Sequence, residues 1–288
     1  MLPVSQLDSI PNPLRHAIMV WFVSQIIWCA GSVVGTGISS FSVWDVAMKA
    51  DALNYESIAT RGYVLHPELR SDIVFPPIFP LVARSLQSVS SISAAMALLI
   101  VSASAYAIGT LLFNALLIES PLHQDRQSLS MTIWAIGVWP TNVFWHVCYS
   151  ESLFAMCLVA FLFGMQRRWS AIWLSLICAL ATGTRTVGVA LVLPLLIQTW
   201  RSSGGWREFV TTCLWMLPLA SSGLLAFMAY QHFAFGDALA FVHNRYYWEF
   251  RHVESTAGRC KSLATLEPIW SVYVPSHPAY WAKWDHVS

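Results

Sequence analysis

Charge is scarce in this chain. Of 288 residues only 11% are charged, 16 Lys and Arg against 15 Asp and Glu, for a net charge of +1. Soluble domains carry about 25% charged residues, so a water-soluble globule of this length would be left short of polar surface. The near balance of signs offers neither a basic patch for nucleic acid nor an acidic tail. Cysteine is unpatterned as well as sparse. There is no CxxC among the six, and Cys29, Cys148, Cys157, Cys178 and Cys213 lie in or beside apolar blocks, with only Cys260 in a polar stretch. They read as small buried hydrophobes. The nine histidines are scattered without ligand spacing, so neither a metal nor a cofactor is expected. Soluble enzyme, disulfide scaffold, disordered chain and nucleic-acid binder are all excluded.

What is present is apolar. Hydrophobic residues make up 56% of the chain and the mean hydropathy is +0.56. They fall in blocks of about 15 to 25 residues, long enough to cross a ~30 Å hydrocarbon layer. Seven spans can be drawn: Ile18–Ser39, Ile92–Ile118, Met131–Val147, Ser152–Met165, Ser170–Gly183, Thr186–Trp200 and Phe209–Phe233. No small-residue cleavage pattern follows the first, which reads as a retained signal-anchor. An eighth stretch, Ile73–Leu86, contains Pro76, Pro77 and Pro80 and is expected to be a broken or re-entrant segment packed against protein. The fifteen tryptophans fit anchoring at the interface with membrane lipid. The sequence therefore predicts an all-α polytopic membrane protein, with residues 1–233 as the transmembrane part and 234–288 as an external C-terminal segment.

Orientation follows from the short loops. With Arg15 cytoplasmic, Arg126, Arg167, Arg168, Arg201 and Arg207 all fall on the cytoplasmic side, as the positive-inside rule expects. That topology makes residues 40–72 a large external loop holding Asp45, Asp51, Glu56, Glu68 and Asp72, five of the fifteen acids. Trp44, Met48, Leu53, Tyr55 and Ile58 are expected to share one face of an interfacial helix within it. Glu151, Arg185 and the C-terminal tail join the same external surface. Charged groups from distant parts of the chain thus converge, and chemistry is sought there.

A loop aspartate in an aromatic setting can act as general base towards a sugar hydroxyl; composition does not choose between Asp45 and Asp51. The run Phe75-Pro-Pro-Ile-Phe-Pro80 reads either as the lining of a cavity or as a rigid loop. Pro140-Thr-Asn142-Val-Phe144, followed by Tyr149-Ser-Glu151-Ser152, reads as a broken helix end beside an acid. Glu151 is expected to pair with Arg185 across two helices, either as a structural ion pair or to orient a substrate. Arg185, in Ala181-Thr-Gly-Thr-Arg185-Thr-Val-Gly188, can grip a lipid phosphate with two parallel hydrogen bonds.

Together these residues resemble the PIG-V family, the GPI mannosyltransferase 2 enzymes of the GT-C type of glycosyltransferase. The family's first lumenal loop carries a pattern like W-D-x-x-x-[F/Y]-x-x-I-A-x-x-G-Y, and a run like F-P-x-F-P follows it. Next come P-x-N-V-F, Y-S-E-x-L-F-A and A-T-G-x-R-x-x-G. This chain has Asp51-Ala-Leu-Asn-Tyr55-Glu-Ser-Ile58-Ala59-Thr-Arg-Gly62-Tyr63, then the Phe75, Asn142, Tyr149 and Arg185 runs in the same order. The tryptophan that should precede the aspartate is Ala50, while a Trp44-Asp45 pair stands six residues earlier. Spacing selects Asp51; the dipeptide points to Asp45, the second choice.

The resemblance implies a GT-C fold and transfer of mannose from dolichyl or polyprenyl phosphate mannose to a glycolipid acceptor on the lumenal or external face. In the eukaryotic family this is the second mannose of a GPI precursor, added in the endoplasmic reticulum membrane. The anomeric centre would invert in a single displacement, with Asp51 as the base, Arg185 on the donor phosphate and Glu151 orienting it. Tyr149, Phe75, Pro76 and Asn142 would line the substrate site, and a small membrane subunit is a further conceivable partner. Family members continue with several more spans, so the tail is expected to be a truncated remnant or the end of a shorter relative. Two alternatives stand beside this: a bacterial plasma-membrane glycosyltransferase with a non-GPI acceptor, and a non-catalytic scaffold or transporter.

Overall fold

The computed structural model describes residues 13–38, 42–119, 126–139, 142–248, 255–267 and 274. Among these residues the regular structure is all helical. Among the described residues three helices are long and apolar enough to cross a membrane: α1 (Pro13–Ile38, with its apolar part Ala17–Gly35), α5 (Ala94–Ile118) and α11 (Trp206–Phe235). Three shorter apolar helical segments, Glu151–Gln166, Ala171–Thr184 and Thr186–Ser202, accompany them. On α1 the side chains of Ile18, Phe22, Ile26, Ile27, Val33 and Val34 are exposed, a contiguous apolar surface that water would penalise and lipid would not. The chain is thus an all-α protein with the helices of an integral membrane protein.

The packing follows one path from helix to helix. α1 lies against α5, and α5 runs along α8 (Glu151–Gln166). Helix α8 packs on α9 (Ala171–Thr184), which runs along α11. Small residues permit the closest approaches. A Cβ on Gly109 of α5 would sit 3.4 Å from the Met156 backbone of α8. A Cβ on Gly223 of α11 would sit 2.0 Å from the Ala179 carbonyl oxygen and 2.6 Å from the Gly183 nitrogen of α9. No side chain fits there, so the α9–α11 pair depends on that glycine. Beneath it, Phe161, Leu174, Cys178, Leu195 and Met216 form one buried cluster. A second, around Tyr55, Phe75, Phe79, Leu98 and Cys148, joins the loop helices to α5.

Several segments depart from the sequence reading. The helix expected to carry Trp44 through Ile58 is two helices, α2 (Val43–Ala47) and α3 (Asp51–Arg61). Between them Ala50 takes φ +54° and ψ −117°, a conformation unusual outside glycine. Met48, Tyr55 and Ile58 are buried, but Trp44 and Leu53 are exposed; Leu53 lies on the face of α3 opposite Tyr55 and Ile58. The prolines of 73–86 do not break a helix. Pro76 and Pro77 precede α4 (Ile78–Ser90), and Pro80 lies in its first turn, where a missing N–H costs nothing. The span drawn at Met131–Val147 is divided between α6 (Arg126–Gly137) and the short α7 (Val143–His146). In Thr186–Trp200, a 3₁₀ stretch (Thr186–Leu191) precedes α10 (Val192–Ser202).

Beyond α11 the chain turns back. Gln231, fully buried, donates from Nε2 to the Ile73 carbonyl at 2.8 Å and accepts at Oε1 from the Phe241 N–H at 2.7 Å. Asn244, at the end of α12 (Ala240–Asn244), accepts from the Ser71 N–H at 3.0 Å and donates to the Leu69 carbonyl at 2.8 Å. Trp248 donates to the Ser71 carbonyl at 3.1 Å. Residues 240–248 are thereby stitched onto the first loop rather than standing apart from it.

Candidate active site

Asp51 opens α3, and its half-buried carboxylate faces a cleft of about 210 Å³ lined also by Tyr55, Phe75, Pro76, Ser150, Arg185 and Thr186. Four separate stretches of chain deliver these groups, and their shapes have local reasons. The turn at Ala50 starts α3 where Asp51 can sit at its N-terminus, the end where a negative charge is favoured. Gly188 tucks against the C-terminus of α9: its Cβ would lie 2.6 Å from the Ala181 carbonyl carbon and oxygen. The Gly188 N–H bonds the Arg185 carbonyl at 2.9 Å, and the Arg185 N–H bonds Ala181 at 2.9 Å. Arg185 therefore leaves α9 in an extended conformation (φ −148°, ψ 137°). Glu151 stands in the first turn of α8.

Glu151 Oε1 and Arg185 Nη1 form an ion pair, each side chain partly exposed. The pair expected from sequence is therefore present, and it spans α8 and α9. Burial raises the Asp51 pKa above the ordinary carboxylate value, the Glu151 charge raises it further, and Arg185 pulls it back. Asp51 is thus a stronger base than a solvated aspartate while remaining beside a cation. Tyr55 donates to Ser150 Oγ at 2.8 Å and packs edge-on to Phe75, centroids 5.1 Å apart. Its phenol pKa is raised, chiefly by burial. Phe75 accepts at its carbonyl from the Tyr63 hydroxyl at 2.7 Å, which fixes the backbone just before the prolines.

Not every residue singled out in the sequence reaches the cleft. Asp45 lies on the surface, and its Oδ2 accepts from both the Ser42 N–H and the Ser42 hydroxyl at 2.7 Å. The Asp45 N–H returns a bond to Ser42 Oγ at 3.1 Å, completing a capping box on α2. Those Ser42 bonds hold the Asp45 pKa below the usual carboxylate value. Asn142 is buried and donates to the Ile136 carbonyl, closing the end of α6; Pro140 and Thr141 of its motif lie outside the described residues. Tyr149 stands beside the cleft rather than lining it, its hydroxyl on the Lys49 carbonyl at 3.1 Å and its ring stacked with Phe144. Ser102 steadies its carbonyl at 3.2 Å.

Among the lining residues that escaped the sequence reading, two come from far along the chain. Arg245 and Trp248, from a 3₁₀ turn after α12, also line the cleft. Trp248 meets Phe75 edge-to-face at 5.4 Å, and the Arg70 guanidinium stands 5.7 Å from the Trp248 ring centroid. The signal was the aromatic, cationic composition of Arg245-Tyr-Tyr-Trp248, which is tied to the loop by the Asn244 and Trp248 bonds to Ser71 and by the Arg70 bond to the Tyr247 carbonyl. The cleft thus sets the Asp51 carboxylate and two arginines against an aromatic wall, with Glu151 bound to Arg185 beside it. That inventory suits transfer of a group from a phosphate leaving group to a hydroxyl. Comparison of the chain with family models, curated proteins and solved structures returns no match.

Proposed function

We propose that the chain is an inverting glycosyltransferase that moves mannose from a polyprenyl or dolichyl phosphate carrier to a hydroxyl of a glycolipid acceptor. The observation that carries this reading is Asp51: a carboxylate of raised pKa in a cleft whose opposite resource is Arg185. The five-motif resemblance to the PIG-V family supplies the sugar and the carrier. In this reading the remaining apolar helices complete about seven spans of a GT-C arrangement, with the cleft on the lumenal or external face.

The chemistry is a single displacement. Asp51 accepts the proton of the acceptor hydroxyl as its oxygen bonds to the anomeric carbon. The bond from that carbon to the phosphate oxygen breaks, and the electron pair leaves with the lipid phosphate. Arg185 meets the charge gathering there with two parallel N–H donors. Glu151 holds the guanidinium in place and, by its own charge, keeps Asp51 basic. Arg245 is a second cation available to the phosphate, and Trp248 and Phe75 offer flat faces to a sugar.

The test is a membrane assay with radiolabelled polyprenyl phosphate mannose and a panel of lipid acceptors. Label on a glycosyl-phosphatidylinositol precursor is the expected result for an endoplasmic reticulum enzyme. Label on another lipid or a surface polymer would place the same reaction at a bacterial plasma membrane. Label on no acceptor, with folded protein present, would contradict the reading and leave a scaffold or transporter.

A further inference from the structure

The other end of the bundle holds a larger cavity that the proposed reaction does not use. It measures about 810 Å³ and opens between the end of α8, the start of α9, the end of α10 and the start of α11. Its floor is apolar, with Leu174 and Leu195 fully buried. Two cations stand in its lining, Arg168 and Arg201. Arg167, next to the first of them, is engaged by both carboxylate oxygens of Glu119, with its Nε 2.6 Å from Oε2. Arg168 and Arg201 have no ion-pair partner among the described residues. The one acid in the lining, Glu208, accepts from the Gly204 N–H at 2.7 Å. Gln198 also lines the cavity, and its Oε1 is buried with no hydrogen-bond partner. The site therefore carries a net positive charge, two arginines against one carboxylate.

The surroundings say where such a ligand would come from. Trp169, Trp173, Trp200 and Trp206 are all exposed around this end. Trp200, Trp206 and Phe209 pack on one another at 5.1 to 5.9 Å. Exposed tryptophans beside arginines mark the headgroup level of a membrane, and basic pockets between membrane helices suit lipid headgroups.

We propose that this cavity binds the phosphate of a membrane phospholipid. Arg168 and Arg201 hold the phosphate oxygens, and the apolar floor takes the glycerol and the first carbons of an acyl chain. Free phosphate offers the same charge but has no use for the leucines, so the two sources can be told apart. The site is independent of the reaction proposed for the Asp51 cleft.

The experiment is a binding titration on the purified full chain in a neutral detergent, with dihexanoyl phosphatidylglycerol in one arm and inorganic phosphate in the other. Saturable lipid binding is expected, weakened at least tenfold by Arg168→Gln with Arg201→Gln and unchanged by Arg207→Gln on the same end. All three side chains are exposed, so the variants should fold as the wild type does, which size-exclusion chromatography checks. Lipid binding undiminished in the double variant, or no lipid binding at all, would overturn the proposal. Inorganic phosphate binding as tightly as the lipid would also overturn it, by leaving the apolar floor without a role.

Discussion

Arg185 and Arg168 stand at the two ends of α9, about 20 Å apart along a helix of that length, and their settings differ. Arg185 is neutralised by Glu151, and the pair acts on Asp51. Arg168 and Arg201 share an open cavity with no carboxylate bonded to either among the described residues. At the first end, aromatic side chains are buried and hydrogen-bonded, as Tyr55 is to Ser150. At the second, tryptophans face outward. One end is arranged to shift a pKa and the other to present charge, so substitutions should affect them in different ways.

The largest effect is expected where both ends depend on the same contact. Gly223→Leu places atoms inside the Ala179 and Gly183 backbone and should separate α9 from α11. Loss of monodisperse protein on size-exclusion chromatography is the expected result, and a well-folded variant would refute the close approach. Next comes the ion pair. Arg185→Ala should lower turnover by roughly 10² or more, the scale for losing one charge-stabilising donor group. Exchanging the pair, Glu151→Arg with Arg185→Glu, should restore folding relative to either single change while leaving transfer impaired, read as thermal midpoint against turnover.

A pH profile sharpens the same comparison. Asp51 must be ionised to act as base, so activity falls as pH drops through its raised pKa. The acid limb should therefore lie above that of an ordinary carboxylate. Glu151→Gln removes a charge that raises the value and should move the limb to lower pH; a limb moving upward would deny the coupling. Because the folded pKa exceeds the unfolded one, ionised Asp51 costs stability above that pKa and the cost disappears as pH falls. Asp51→Asn should accordingly keep or raise the thermal midpoint at neutral pH. A smaller effect belongs to the loop clamp: Gln231→Leu strands the Ile73 carbonyl and the Phe241 N–H, about 1–3 kcal/mol by the usual penalty, measurable by thermal unfolding.

Much of this was legible in the sequence, for identifiable reasons. Apolar block lengths located α1, α5 and α11 because a crossing helix must satisfy its own backbone. Alternation of those blocks placed Asp51, Glu151 and Arg185 at one end, and the ion pair between α8 and α9 agrees with it. The choice between Asp45 and Asp51 was open to composition, since a capping box and a cleft both use a loop aspartate. What stayed hidden was set by contacts far apart in the chain. Arg245 and Trp248 are brought to the cleft by bonds from residues 244–248 to residues 69–71 and by the Trp248–Phe75 contact. The proline run was legible in part: Phe75 and Pro76 line the cleft, but prolines at a helix start and prolines that break a helix look alike until the capping turn is known. The turn at Ala50 carries no glycine to announce it.

The measurement that bears most directly on the account compares mannose transfer by the wild type, Asp51→Asn and Asp45→Asn in the same membranes. Asp51→Asn should lose transfer by roughly 10² to 10⁴, the range for removing a general base, with its folding intact. Asp45→Asn should retain most of the activity, since that carboxylate holds only the Ser42 cap. An active Asp51→Asn beside an inactive, folded Asp45→Asn would contradict the assignment of the cleft as the site of chemistry.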